Sequence, residues 1–249
     1  NKLRMDADPT PLVDILSDTQ LTVLKSKLLD SNQSYCEIIL DNANLESHQA
    51  SNIFIEQAII TDTDFSNGRW TGLELIEVLC RNCNAANVDW LGARMTDTEF
   101  HRTRLTGCNL SGTNLRNVLF YRCKLDLSLF HDSQLTRCLF QECDLREADF
   151  QNTTLKRVIF RNCDLRNTRY PSTSLSGIDL RGSQLAGMHA DTNELQGALV
   201  DPFQVADIAS ILGLVVKRLP TDSPNEYTTN IRFQSAGKHP FVEPDSDAQ

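Results

Sequence analysis

Residues 120–165 read F-YRCKL-DLSLF-HDSQL-TRCLF-QECDL-READF-QNTTL-KRVIF-RNCDL. Every fifth residue here is Phe or Leu: Phe120, Leu125, Phe130, Leu135, Phe140, Leu145, Phe150, Leu155, Phe160 and Leu165. Two places before each from Leu125 on stands a small or β-branched residue: Cys123, Ser128, Ser133, Cys138, Cys143, Ala148, Thr153, Val158 and Cys163. A period of five fits neither a helix, near 3.6, nor a flat strand, at 2. It describes a chain that turns a corner every five residues and sends two side chains inward between corners.

The pattern extends well beyond this stretch. From Leu40 to Val200 there are 33 such slots, and all but Ala50, Cys80, Ala85 and Ala190 are bulky and apolar. The companion series runs from Ile38 to Ala198, with His48, Leu73, Met188 and Asn193 as its exceptions. Six of the eight cysteines, Cys83, Cys108, Cys123, Cys138, Cys143 and Cys163, sit in this small-residue series. Their position marks them as buried free thiols, which pack as small hydrophobes.

A longer period of 20 lies over the short one. Phe100, Phe120, Phe140 and Phe160 form one column, and Trp70, Trp90, Phe130, Phe150 and Tyr170 another. Between them stand Leu105, Leu125, Leu145 and Leu165, and a column from Met95 through Leu115, Leu135 and Leu155. Aromatic columns alternate with leucine columns, so like faces like across the interior. The expected fold is all-β: a solenoid of about eight 20-residue coils, roughly 40 Å long at about 4.8 Å per coil. The register allows no inserted loop. Asn67 to Ala86 breaks the pattern with Gly68, Leu73, Cys80 and Ala85, and a local bend or bulge is expected there.

These residues resemble the pentapeptide repeat family, whose pattern is A(D/N)LXX. The matches stand at Ala148-Asp149-Phe150, Cys143-Asp144-Leu145, Cys163-Asp164-Leu165, Cys108-Asn109-Leu110, Thr113-Asn114-Leu115 and Ala43-Asn44-Leu45. The resemblance covers about two thirds of the chain. The resemblance implies a right-handed quadrilateral β-helix with four pentapeptides per coil.

A solenoid exposes unpaired edges at both ends, and these need covers. Residues 1–35 read as an N-terminal cap, helical over Leu12 to Asp30 on the apolar positions Leu12, Ile15, Leu16, Leu21, Leu24 and Leu28. The repeat occupies 36–200. A C-terminal cap follows at 201–219. Asp201-Pro202 reads as N-cap and first helical residue, and Gly213 as the stop. Leu214-Val215-Val216 reads as a short strand. Residues 220–249, rich in Pro, Ser, Thr and Asp, read as a flexible tail. The C-terminal end resembles that of the quinolone-resistance and mycobacterial fluoroquinolone-resistance pentapeptide proteins. That resemblance implies a homodimer through the cap, with Phe203, Val205, Ile208, Leu212, Leu214 and Val216 as its candidate contacts.

Composition narrows the function classes. The chain has 249 residues, 40% of them hydrophobic, and a formal charge of −9. It is too apolar for a disordered chain, and no apolar run approaches the roughly 20 residues that span a bilayer. The acidic balance speaks against direct nucleic-acid binding. No secretory apolar segment opens the chain, Met5 offers an alternative start, and a cytoplasmic location is expected. Cys80-Arg-Asn-Cys83 has zinc-like spacing, yet Cys83 is a repeat slot and no second pair follows. The five histidines are scattered and form no nucleophile–base constellation. Neither a phosphate-cradling nor a dinucleotide motif is present. No enzyme, cofactor or metal is expected.

Function is therefore expected on the outer surface. Residues 36–99 carry 3 basic and 11 acidic residues, a net of −8, whereas residues 100–185 carry 13 basic and 8 acidic, a net of +5. The candidate partner-binding carboxylates are Asp62, Asp64, Glu74, Glu77, Asp89, Asp97 and Glu99. Family relatives with this kind of C-terminal end act as duplex-DNA mimics toward DNA gyrase and topoisomerase IV, some conferring quinolone resistance. The resemblance thus implies a topoisomerase-binding protein. The N-terminal cap and the basic stretch fit a second reading, a scaffold or regulatory adaptor for another protein partner.

Overall fold

The computed structural model describes residue 16, residues 21–24 and residues 29–217. Two compact units, Asn1–Val216 and Lys217–Gln249, divide the chain, and only Lys217 of the second is among the described residues.

The first unit is a four-sided parallel β-helix with 20 residues per turn. On one face Cys80, Phe100, Phe120, Phe140 and Phe160 pair in register, coil upon coil. On the next face back along the chain Met95, Leu115, Leu135 and Leu155 do the same. Single bridges hold most of the other two faces: Asn84, Arg104, Lys124, Asp144 and Asp164 beside the Leu105 column, and Asp89, Asn109, Leu129, Asp149 and Arg169 beside the Phe130 column, where Gln49–Ser51 and Arg69–Thr71 also pair as strands. The faces are named here Phe100, Leu105, Phe130 and Leu115. Pairing by steps of 20 runs from Ile39 to Leu199 on the Phe100 face but only from Ser34 to Thr154 on the Leu115 face. The solenoid therefore makes about seven turns rather than eight. Beyond Thr154 the short helix Thr192–Leu195 closes the Leu115 face, where Leu175 N–H donates to the Glu194 carbonyl.

The corners explain the period. Among the described residues, twenty-five other than glycine have positive φ, and all carry numbers ending in 2 or 7. A left-handed residue costs an L-amino acid roughly 1–2 kcal/mol, least for Asn and Asp. Ladders of corner side chains offset this cost: Asn52 donates to Asn32 at 2.8 Å, Asn117 to Asp97 at 2.7 Å and Asn152 to Asp132 at 2.6 Å. The Asp or Asn of the repeat motif acts locally. Its carboxylate or amide oxygen accepts the N–H two residues on, as in Asp144 to Arg146, Asp149 to Gln151 and Asn109 to Ser111. That bond fixes the turn that follows, the familiar Asx-turn device.

The interior is largely apolar, and buried hydroxyls such as Thr113, Ser133 and Thr153 donate to backbone carbonyls. Phe100, Phe120, Phe140, Phe160, Phe130 and Phe150 are fully buried, as are Leu105, Leu125, Leu145 and Leu165. Cys123, Cys143 and Cys163 lie beside them. The two aromatic columns meet edge to face across the core, Phe130 with Phe140 at 6.1 Å and 84°, and Phe150 with Phe160 at 5.8 Å and 83°. Like does face like.

Three expectations are corrected. The irregular stretch at 67–86 is not a bulge, because the pairs Asp64–Asn84, Arg69–Asp89 and Glu74–Arg94 keep the 20-residue step. It is instead a packing fault. Small Cys80 and Ala85 beside Trp70 and Trp90 leave a cavity of about 20 Å³. Gly68 occurs because the Trp70 indole nitrogen lies 2.7 Å from where a Cβ would sit. The N-terminal cap is not all helix: Leu16 is helical, but Thr22–Leu24 is a strand that pairs in parallel with Ile38, Ile39 and Leu40. Pairing the open edge of the first coil satisfies its backbone, which a helix in that place would leave unmet. The rest of the expected helix lies outside the described residues. Leu214-Val215-Val216 is not a strand: it is largely exposed and joins no ladder with the described strands. The expected tail at 220–249 lies outside the described residues.

Candidate functional site

Seven of the eight cysteines are buried. Cys108, Cys138, Cys143 and Cys163 are buried, and burial pushes their thiols up, Cys138 to about 12. A thiolate is the reactive form, so these are packing groups rather than nucleophiles. Cys138, Cys143 and Cys163 donate instead to backbone carbonyls, as Cys143 does to Phe120 at 3.2 Å.

The candidate carboxylates are spread around all four faces. Asp62 is a corner residue between the Phe100 and Leu105 faces, and Asp64 points out from the Leu105 face. Asp89 lies on the Phe130 face and Glu74 on the Leu115 face. Glu77 and Asp97 occupy the corner between the Leu115 and Phe100 faces. Glu99 lies on the Phe100 face. Only Asp62 and Asp97 are well exposed. The others are engaged locally. Burial raises the Asp64 carboxyl, but hydrogen bonds from Ser66 and Asn84 outweigh it and hold the pKa below the ordinary carboxylate value. Asp89 accepts from Leu91 N–H and Asn109 and pairs with Arg69 at 3.1 Å. Glu74 meets Arg94 at 3.8 Å, Glu77 accepts from Gln57 at 3.0 Å, and buried Glu99 meets His101 at 2.7 Å. The structure thus gathers no single acidic patch.

In the later coils a Asp-x-Arg unit recurs. Arg146, Arg166 and Arg181 each reach back across a turn to Asp144, Asp164 and Asp179 through two nitrogens, at 2.6–2.8 Å. These bidentate contacts hold the three carboxyls below their ordinary range. They also neutralise charge that sequence counting leaves free.

Among the described residues, those from Phe203 to Val216 form the largest run of exposed apolar side chains. Asp201 caps a 3-10 turn, Pro202–Gln204, and the helix Val205–Ile211 follows, ended at Gly213. Phe203 is 94% exposed, and Val205, Leu212, Leu214 and Val216 are exposed beside it. Ile208 differs, packing back on the core. Sequence reasoning missed Gln204. It is 4% exposed and donates to the Leu180 and Ser183 carbonyls, each at 2.7 Å, while its oxygen accepts Asp201 N–H. It satisfies the open edge of the last coil from within. Its signal was the capping-box spacing Asp201-x-x-Gln204, repeated at Asp191-x-x-Glu194.

The pentapeptide repeat region profile matches residues 81–149 and 113–189. Residues 81–189 thus form a pentapeptide repeat region. Among solved pentapeptide repeat proteins, the chain is similar to QnrB1, a plasmid-mediated fluoroquinolone resistance protein, at 16% identity and a TM-score of 0.35, over 74% of this chain and 100% of that one. It is also similar to HetL, involved in heterocyst differentiation regulation in the cyanobacterium Nostoc sp. strain PCC 7120, at 17% identity and 0.37, over 76% and 94%. A third is a pentapeptide repeat protein of the Arabidopsis thaliana thylakoid lumen, at 22% and 0.30, over 45% and 72%. At these scores the neighbours carry no argument about function. No curated protein resembles the chain closely enough in sequence to count as a relative.

Proposed function

We propose that this pentapeptide repeat protein is a non-catalytic module that binds a protein partner through its outer faces, with a type II topoisomerase, DNA gyrase or topoisomerase IV, as the concrete candidate. The observation that carries the reading is the division of the molecule: a largely apolar interior, and charged side chains on a regular exterior. Carboxylates placed around all four faces of the early coils resemble charge on a cylinder more than a patch. A DNA-binding saddle reads charge in that form, which favours duplex mimicry. The exposed apolar end from Phe203 to Val216 supports a homodimer through the cap.

The test is gyrase supercoiling with this protein titrated in, with and without a fluoroquinolone. Inhibition near stoichiometric protein, or relief of drug-induced cleavage, is expected. No effect at large excess removes the topoisomerase reading. A general scaffold or regulatory adaptor then takes its place, a reading favoured by the basic coils at 100–185.

A further inference from the structure

One corner of the solenoid is charged in an ordered way. Between the Leu115 and Phe100 faces the left-handed residues read, coil by coil, Glu37, Gln57, Glu77, Asp97, Asn117, Arg137 and Arg157. The adjacent outward row on the Leu115 face reads Glu56, Ile76, Thr96, Arg116, Thr136 and Lys156, each paired in register with the next. The edge is acidic up to Asp97 and basic beyond Asn117. Its internal hydrogen bonds run along the ladder, Gln57 to Glu77, Asn117 to Asp97 and Arg137 to Asn117. Among the described residues Arg116, Lys156 and Arg157 are exposed and make no ion pair.

We infer that this edge binds a second copy of the chain, laid antiparallel against it. A two-fold axis perpendicular to the edge, between the Asp97 and Asn117 rungs, sets Glu77 of one protomer opposite Arg137 of the other. The same axis sets Glu56 opposite Lys156 and Gln57 opposite Arg157. Two-fold symmetry repeats each contact, so Glu77–Arg137 and Glu56–Lys156 supply four ion pairs. A parallel arrangement in the same register sets acid against acid and base against base. The spacing is what makes the edge self-complementary: 77 and 137 lie equally far from the axis, as do 56 and 156. Exposed pairs are individually weak and matter only as a network, so the association is weak and salt-sensitive. This contact is distinct from the apolar C-terminal end, whose burial is far less sensitive to salt.

The test is sedimentation velocity on the full chain, over a range of concentrations, at about 50 mM and about 500 mM NaCl, where screening lengths differ severalfold. Association at low salt, weakened about tenfold or more at high salt, is expected. Two double variants sharpen it. Glu56→Lys/Glu77→Lys makes all four pairing positions basic, and Arg137→Glu/Lys156→Glu makes all four acidic. Both keep the wild-type fold by circular dichroism, because these side chains lie outside the core. Each alone is expected to lose the salt-sensitive association, and an equimolar mixture to regain it as a heterodimer. A monomer at both salt concentrations, a salt-independent mass, or no association in the mixture overturns the proposal.

Discussion

Phe120 and Phe140 lie face to face, with ring centroids 4.8 Å apart and planes 9° from parallel. Residues 20 apart in sequence thus become direct neighbours in the core. The stack continues on both sides, to Phe100 at 5.2 Å and to Phe160 at 5.0 Å. Phe130 meets Phe140 from the opposite face, edge on. Phe140 therefore touches aromatic rings on three sides.

Truncating that ring removes all three contacts at once. Neighbouring coils are held by their own hydrogen bonds and cannot collapse into the space. Phe140→Ala is expected to cost about 3–5 kcal/mol, the range for a large aromatic lost from a rigid core. Denaturant unfolding measures it, and a loss below about 1 kcal/mol would contradict the column assignment.

The thiols separate into two classes. All eight are free, and Cys36 alone is exposed. Burial together with Glu56 and Glu37 nearby raises its thiol, so even this one reacts slowly. Titration with a thiol reagent is expected to label one cysteine in the native protein and eight in denaturant. A stoichiometric disulfide or bound zinc would break that count.

Acid stability follows from the Asp-x-Arg units. The folded-state pKa values of Asp144, Asp164 and Asp179 lie below the unfolded value, mainly because of the hydrogen bonds from their arginines. A depressed carboxyl contributes stability above the unfolded pKa, about 3.9. That contribution is lost as pH falls through the folded pKa. The arginines are 44–62% exposed, so each pair contributes modestly. Replacing Arg146, Arg166 and Arg181 together by Gln is expected to move the acid-unfolding midpoint to higher pH. Stability at pH 7 should fall only slightly. An unchanged midpoint would mean that the pairs do not couple to folding.

The solenoid was legible because one period governs both sequence and structure. Phe100 to Phe160 repeat every 20 residues, and the coil is 20 residues long. The outer surface was less legible. Counting charge treats Asp144 and Arg146 as independent, whereas the turn between them joins them at 2.6 Å. The seven acidic candidates were chosen by sequence neighbourhood, and a square coil sends neighbours such as Asp62, Glu74 and Asp89 to different sides. The N-terminal strand was hidden for another reason. Thr22–Leu24 is extended because Ile38–Leu40 offers it an open edge, a tertiary cause that helical spacing of leucines does not encode.

Gln204 gives the sharpest test of how the solenoid ends. Its amide nitrogen donates to the carbonyl of Ser183, where the coils stop, and to that of Leu180, which also accepts Ser183 N–H. Its oxygen holds the N-cap backbone of Asp201. Gln204→Ala leaves two buried carbonyls and one N–H without these partners. The expected cost is about 1–3 kcal/mol, the penalty for orphaned buried polar groups. Gln204→Glu keeps the contact to Asp201 N–H but points oxygen at two carbonyls, so it should be worse than Ala at pH 7 and recover as pH falls and the acid becomes a donor. Thermal melts of both variants across pH check this order. Equal stability of Gln204→Glu at pH 7 and pH 4 would mean that the side chain does not plug the last coil.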